Sequence, residues 1–263
     1  GEIGCSCGIA ACILMIITCF IKCSTKEEPE QSSYGFISYS LKWEQALSGH
    51  ESPKKVRYCF YPLEQGAMTQ IEGDADGLKF TLPPDKYRLL VFNCDADNIA
   101  FRNMNTFETA EAYIPATKAT GYTTSGRIPL YGIAIDELEV EANEGISNTR
   151  EFSMASLIRE VTIDIKVDGM EYIKECKGEL AGVPAAFNLS KQEIVPEKTT
   201  KVNFETAPSK EGVKANIMIL GTAPKHGETP PPTPTNQYPI FFFFFLRQAL
   251  TLSPRLECNV QWC

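Results

Sequence analysis

The sequence predicts an all-β protein built as two tandem antiparallel β-sandwiches, and three observations carry that expectation. Apolar and polar residues alternate with period two in short runs, as they do along half-buried strands. Clusters of Gly, Pro, Asn and Asp punctuate those runs. Apolar residues at helical spacing are absent, apart from one turn expected near Met104–Ala112. Short strands joined by turns rather than by helices fit antiparallel sandwiches and not βαβ units.

The first expected strand is Tyr34–Trp43, where large apolar residues alternate with small polar ones. Further strands follow at Val56–Tyr61, Leu78–Leu82, Tyr87–Asn93, Ala110–Ile114 and Leu130–Val140. Between them stand Glu64-Gln65-Gly66, Gly73-Asp74-Ala75-Asp76-Gly77, Pro83-Pro84-Asp85 and Asp95-Ala96-Asp97-Asn98, all of which favour bends or positive φ. A second series comprises Arg150–Ala155, Ile158–Val167, Tyr172–Leu180, Thr199–Phe204 and Val213–Leu220. The linker at Asn143–Ser147 divides the body into a first sandwich over 34–142 and a second, expected to lack its end, over 143–223. Residues 1–23 form an export segment, 24–33 a polar tether, and 224–263 a Pro-rich spacer with a disordered, non-native tail.

At 263 residues the chain can bury a sizeable core in one or two domains. A hydrophobic share of 43% and a charged share of 22%, with a mean hydropathy of -0.15, exclude a multi-span membrane protein and a wholly disordered chain. The net charge of -8 supplies no basic face for a phosphate backbone, so nucleic acid is not an expected partner. Two histidines, His50 and His226, leave little for histidine-based metal or acid–base chemistry.

Cysteines crowd the start (Cys5, Cys7, Cys12, Cys19, Cys23) and the end (Cys258, Cys263), with Cys59, Cys94 and Cys176 between. A disulfide framework would be spread through the folded body, so the three central thiols read as small apolar core groups. Gly8–Ile21 is an uncharged run of fourteen residues. As a helix it reaches about 21 Å, short of the roughly 30 Å hydrocarbon core. The run, the following Cys23 and the polar stretch Ser24–Gln31 resemble a bacterial lipoprotein signal, in which the cysteine is acylated and becomes the new N-terminus. Cys23 is the expected lipidation site and Cys19 the alternative. Lys22 departs from the small residue that such signals place before the cysteine. An uncleaved signal anchor or a buried helix is the competing reading of the run.

At the other end, Thr229–Pro239 is an extended polyproline-like spacer, followed by five consecutive phenylalanines, Phe241–Phe245. The stretch from Phe241 to Cys263 resembles the translation of an antisense primate Alu repeat, in which a run of T reads as Phe. That resemblance implies a chimeric end; a real apolar tail is the alternative.

Chemistry-bearing motifs are thin. Asp74–Gly77 and Asp95–Asn98 look like fragments of calcium loops but lack the spaced acidic series and the distal glutamate, so they read as turns. Thr123–Arg127 has no histidine or nucleophile elbow in support and reads as a loop. Asn188-Leu189-Ser190 is a sequon by chance, and no Walker, GxGxxG or HExxH motif is present. Trp43, Tyr58, Phe60 and Tyr61 read as core residues, with a sugar-binding platform as the other use of such rings. No catalytic, metal or cofactor residue is expected.

The segments LKWEQA at Leu41–Ala46, VRYCFYPLEQG at Val56–Gly66 and GLKFTLPPDKYRLLVFNCD at Gly77–Asp95 resemble fimbrillin-type surface lipoproteins of Bacteroidetes, in particular uncharacterised relatives of fimbrial anchor and tip subunits. The shared order is a Trp strand, a strand ending in Tyr61-Pro62, and a hairpin from Leu82-Pro83 to Tyr87 that leads into Leu90-Val91-Phe92-Asn93. The resemblance implies transthyretin-like sandwiches tethered by lipid to the outer membrane at the cell surface, and a non-catalytic role in anchoring, tipping or assembling a fimbrium or in adhesion. Other fimbrial subunits, engaged by strand exchange, are the implied partners. A surface glycan-binding module is the alternative function.

Overall fold

Residues 34–43, 46–115, 127–142, 148–167, 173–196, 198–208, 212–221, 241–248 and 256–262 are described by the computed structural model, and they are almost wholly β-strand. The expected N-terminal helix, with Cys19 and Cys23, lies outside the described residues. The strands, in chain order, are β1 (Gly35–Lys42), β2 (Lys55–Pro62), β3 (Thr69–Asp74), β4 (Gly77–Leu82), β5 (Asp85–Asn93), β6 (Ala100–Arg102), β7 (Glu111–Tyr113), β8 (Tyr131–Val140), β9 (Asn148–Ser153) and β10 (Ala155–Ser156). They continue with β11 (Ile158–Val167), β12 (Ile173–Pro184), β13 (Ala186–Asn188), β14 (Glu193–Ile194), β15 (Thr199–Glu205), β16 (Ala207–Pro208), β17 (Gly212–Leu220), β18 (Phe241–Gln248) and β19 (Leu256–Trp262). The turn expected near Met104–Ala112 is a single 3₁₀ turn, Phe107–Thr109.

Period-two patterning decides which face of each strand is buried. In β1 it sends Ile37, Tyr39 and Leu41 inward; in β11 it does the same for Val161, Ile163, Ile165 and Val167. One eight-stranded sheet runs β10-β8-β5-β2-β3-β4-β1-β9. Its core joins β1 and β9 (Tyr39, Phe152) to β2, β5 and β8 (Phe60, Tyr87, Leu138). Edge-to-face contacts of Tyr39 with Phe152 (5.1 Å) and Phe60 with Tyr87 (5.9 Å) lock that layer. Strands β2 and β5 are buried on both faces: Cys59, Tyr61, Leu90 and Phe92 point the other way, into a second core shared with β11, β12, β15 and β17. Among the described residues there are three smaller sheets, in the orders β16-β17-β11-β19, β15-β12-β18 and β14-β13-β7-β6.

Each strand run expected from the sequence is a strand here. Hydrogen bonding does not divide at 143–147, however. β9 and β10 follow that linker yet extend the first sheet, and β13 pairs with β7 (Phe187↔Ala112). The expectation of a disordered tail is corrected over 241–248 and 256–262, which form β18 and β19. Strand pairing uses main-chain N–H and C=O groups that every non-proline residue carries, so a segment without apolar alternation can still be held on an available edge.

Glycine is required at two close approaches. Gly77 closes the β3–β4 hairpin at φ 148°, and a Cβ there would strike the Tyr39 carbonyl. Gly178 on β12 lies flat under the Phe204 ring, which occupies the space a Cβ would need.

Candidate strand-accepting site

β11 and β12 are consecutive in the chain but belong to different sheets, so each offers a second edge that β17 and β15 do not occupy. Both edges are filled from the end of the chain. β19 lies antiparallel on β11 from Val161↔Trp262 to Val167↔Leu256. β18 lies antiparallel on β12 from Ala181↔Phe241 to Ile173↔Gln248, with a register shift between Ile173 and Glu175. Behind these edges Val161, Ile163, Leu180 and Val202 are fully buried, and the Thr206 hydroxyl donates to the Cys176 carbonyl at 2.9 Å. The chemistry available is recognition by main-chain hydrogen bonds along two strand edges. The sequence contained no local signal of it, because which edge a strand leaves open depends on pairing between distant segments.

The tract that joins β1 to β2 is tied to β11. His50 Nε2 lies 2.9 Å from Glu160 Oε1, with the imidazole 4% exposed and its Nδ1 buried without a partner among the described residues. Beside it the Leu47 amide donates to the Tyr131 hydroxyl at 2.9 Å.

The acidic turns are structural clamps. Asp74 and Gly77 face each other across the β3–β4 hairpin. Asp95 Oδ2 accepts the amides of Lys54 and Lys55 at 2.7 and 3.1 Å, and Asp97 Oδ2 accepts the Ile128 amide at 2.9 Å. Fully buried Asn93 donates to Asp95 and to the Pro129 carbonyl and accepts from the Tyr131 amide. No group of potential metal ligands gathers among the described residues. Of Thr123–Arg127, only Arg127 is described. Asn188 of the sequon is turned inward, donating to the Glu108 carbonyl and accepting from Ser190 and Lys191.

The aromatic residues singled out belong to the core. Tyr58 and Phe60 are fully buried and Tyr61 nearly so, with its hydroxyl on the Met104 carbonyl. Trp43 packs edge-to-face on Tyr131 and donates to the Ala75 carbonyl at 2.8 Å. Cys59, Cys94 and Cys176 are free thiols; Cys59 is buried, and that burial pushes its thiol up to about 12, whereas the other two are partly exposed. Cys59 pairs with Leu90 rather than with Cys94, so the strand register keeps those two thiols apart.

Sequence reasoning missed Glu111 on β7. Its carboxylate accepts Arg102 Nε at 2.8 Å and Lys198 Nζ at 3.0 and 3.1 Å, while the Arg102 guanidinium stacks over Tyr113. Burial raises the Glu111 pKa, and the two cations outweigh it, leaving the carboxyl below its ordinary value.

Compared with known proteins, residues 30–205 match the family described as "Domain of unknown function (DUF5119)". A curated protein of Bacteroides ovatus, "Putative fimbrium anchoring subunit Fim4B", is 23% identical over 175 residues, covering 64% of this chain and 52% of that protein. The chain thus spans about half the length of the curated relative it matches. A crystal structure of "a putative adhesin" from B. ovatus aligns with a TM-score of 0.65 at 19% identity, covering 85% of this chain and 82% of that one. A second B. ovatus "putative adhesin" structure aligns with a TM-score of 0.51 at 11% identity, covering 86% and 77%. These structural likenesses bear out the all-β fold.

Proposed function

The chain belongs to the family of the domain of unknown function DUF5119, and from that premise we propose that it is a structural, adhesive cell-surface lipoprotein that serves a fimbrium as anchor, tip or assembly subunit and carries no catalysis. The observation that supports this reading most is the pair of strand edges on β11 and β12, each engaged by an antiparallel strand from far along the chain. A subunit that joins others by lending and accepting strands needs such edges and needs no reactive centre. Its match to a protein described as a fimbrium anchoring subunit supports the same reading. Acylation of Cys23, or of Cys19, would hold the protein at the outer membrane, with 24–33 as the tether and the β-sheet body from residue 34 onward exposed. The tail from Phe241 is read as chimeric, so β18 and β19 stand where strands of another origin belong.

Deleting residues 228–263 tests the exchange. Amides of β11 and β12 should then lose protection against hydrogen exchange and regain it when a fimbrial strand peptide is supplied. Unchanged protection without the tail, or indifference to every such peptide, would remove the reading's main support. Radiolabelled palmitate should enter the chain in its native host and be lost on Cys23→Ser, or on Cys19→Ser if the alternative cysteine is used. Genomic DNA read across the codons for 227–241 decides the origin of the tail.

A further inference from the structure

We propose that the outer edge of β4, over Lys79–Thr81, pairs with the same edge of a second copy, joining two eight-stranded sheets about a two-fold axis at Phe80. The β3–β4 hairpin opens straight after its turn: among the described residues Asp74↔Gly77 is the one pair between the two strands. From there β3 keeps to β2, from Lys55↔Asp74 to Phe60↔Thr69, and β4 keeps to β1, from Ser40↔Gly77 to Gly35↔Leu82. Among the described residues no other strand lies beside β4, and no loop main chain bonds to Lys79 or Thr81. Lys79, Phe80 and Thr81 are exposed in succession, and so on both faces of the strand, as an edge with nothing beside it is.

Phe80 gives this edge its apolar content. It stands opposite Ile37 in register, so both side chains lie on the face of the sheet that Tyr39, Leu78 and Leu82 also bury. Ile37 is wholly buried, whereas Phe80 is 37% exposed. An inward-facing ring is left open to water because β3, which would cover it in a regular hairpin, has turned away to β2. The main-chain groups of the edge are equally well defined. The Leu41 amide donates to the Asp76 carbonyl at 3.1 Å, and bonded pairs alternate with non-bonded ones along an antiparallel ladder. Leu78, Phe80 and Leu82 therefore bond inward to β1, and the N–H and C=O groups of Lys79 and Thr81 point outward.

Those outward groups select the register. Three two-fold arrangements bring them face to face. Centred on Lys79, the pair opposes two ammonium groups, and like charges directly opposite destabilise. Centred on Thr81, it sets Lys79 against Pro83, which has no N–H to donate. Centred on Phe80, it sets Lys79 against Thr81 on both sides of the axis and forms four main-chain hydrogen bonds. The two Phe80 rings then meet at a close non-bonded position, and Leu78 faces Leu82. Lys79 is the one charged residue of β4 and its pairing with β1 has no bulge, so the strand opposes no charge to its own copy in this register. The contact is isologous and closes at two copies. An edge this short buries less than the roughly 1,200 Å² of a stable interface, so the dimer forms only at micromolar concentrations or above.

The test follows the full chain by sedimentation from about 1 μM to about 1 mM, the range of weak association. The protein should pass from monomer to dimer across it. Thr81→Lys sets an ammonium against Lys79 twice and should weaken the dimer roughly tenfold or more. Adding Lys79→Glu turns each clash into an opposite-charge pair and should restore it. Both positions are exposed in the single copy, and thermal unfolding checks that the fold is kept. On dimerisation the amides of Lys79 and Thr81 should gain protection against hydrogen exchange. No dimer at the highest concentration, a dimer indifferent to Thr81→Lys, or one that the second substitution fails to restore would each overturn the proposal. So would protection of those two amides in the dilute monomer, which would show the edge already covered. Protection gained on β11 or β12 instead would assign the association to those edges and overturn it as well. The β11 and β12 edges lie in other sheets, so failure of the tail-deletion experiment leaves this result standing on its own.

Discussion

Replacing Glu111 with Gln keeps the side chain's shape and removes its charge, which leaves Arg102 and Lys198 facing a neutral amide. Glu111 is 8% exposed, whereas the Arg102 and Lys198 side chains are 38% and 44% exposed. Breaking a fully buried ion pair costs about 3–5 kcal/mol, and breaking an exposed one at most about 1 kcal/mol. Both bases here can turn into water once the carboxylate is gone, which places the loss between those limits, at about 1–2 kcal/mol. For a chain of this size that lowers Tm by roughly 2–8 °C. Differential scanning calorimetry of both proteins across pH checks the figure. The folded pKa of Glu111 is depressed, so its contribution is complete above the unfolded value of roughly 4.3 and fades as pH falls through the folded value. The difference in Tm should therefore be constant from neutral pH down to about 5 and close in stronger acid. Equal Tm values at neutral pH, or a gap that persists in strong acid, would refute the assignment of Glu111 as a charged tie.

Four further single substitutions test the packing. The buried hydroxyls of Tyr39 and Tyr58 have no hydrogen-bond partner among the described residues, and burial pushes the Tyr39 phenol up to about 12. Tyr39→Phe and Tyr58→Phe should each be neutral or stabilise by up to about 1 kcal/mol in urea titrations; a loss would reveal a partner for the hydroxyl. Asn93→Ala strips the clamp of three hydrogen bonds and should cost about 2–4 kcal/mol by the same measurement. Gly178→Ala must push the Phe204 ring aside, at about 1–3 kcal/mol, and adding Phe204→Leu should recover part of that loss.

How legible the fold was depended on how far each signal reached along the chain. β11 was read to its end residues because Val161–Val167 alternates strictly and Val161, Ile163, Ile165 and Val167 are all buried. β3 was missed because Thr69–Asp74 never buries a residue deeply; its alternation runs between half-buried and exposed. β6, β10, β13, β14 and β16 are two or three residues long, too short for any period to register. The placement of β9 and β10 in the first sheet was illegible for a different reason. Their partners, β1 and β8, are chosen by fit across the core, and no local residue pattern encodes that. The acidic turns were recognised as turns, but their work as hydrogen-bond clamps needed Lys54, Lys55 and Ile128 brought alongside. The candidate site itself is an arrangement of edges, so composition and motifs were silent about it.

The parallel pairing of β9 with β1 sets the order in which the molecule can form. Ile37 meets Asn148, and Leu41 meets Phe152, across more than a hundred intervening residues. β1 gains its β4 neighbour early but must wait for its other one until more than half of the chain has emerged from the ribosome. Such long-range closure makes folding slow. A nascent chain of this design stays threadable for most of its synthesis, and the first sheet becomes complete only after the segment that ties the two halves together has been made.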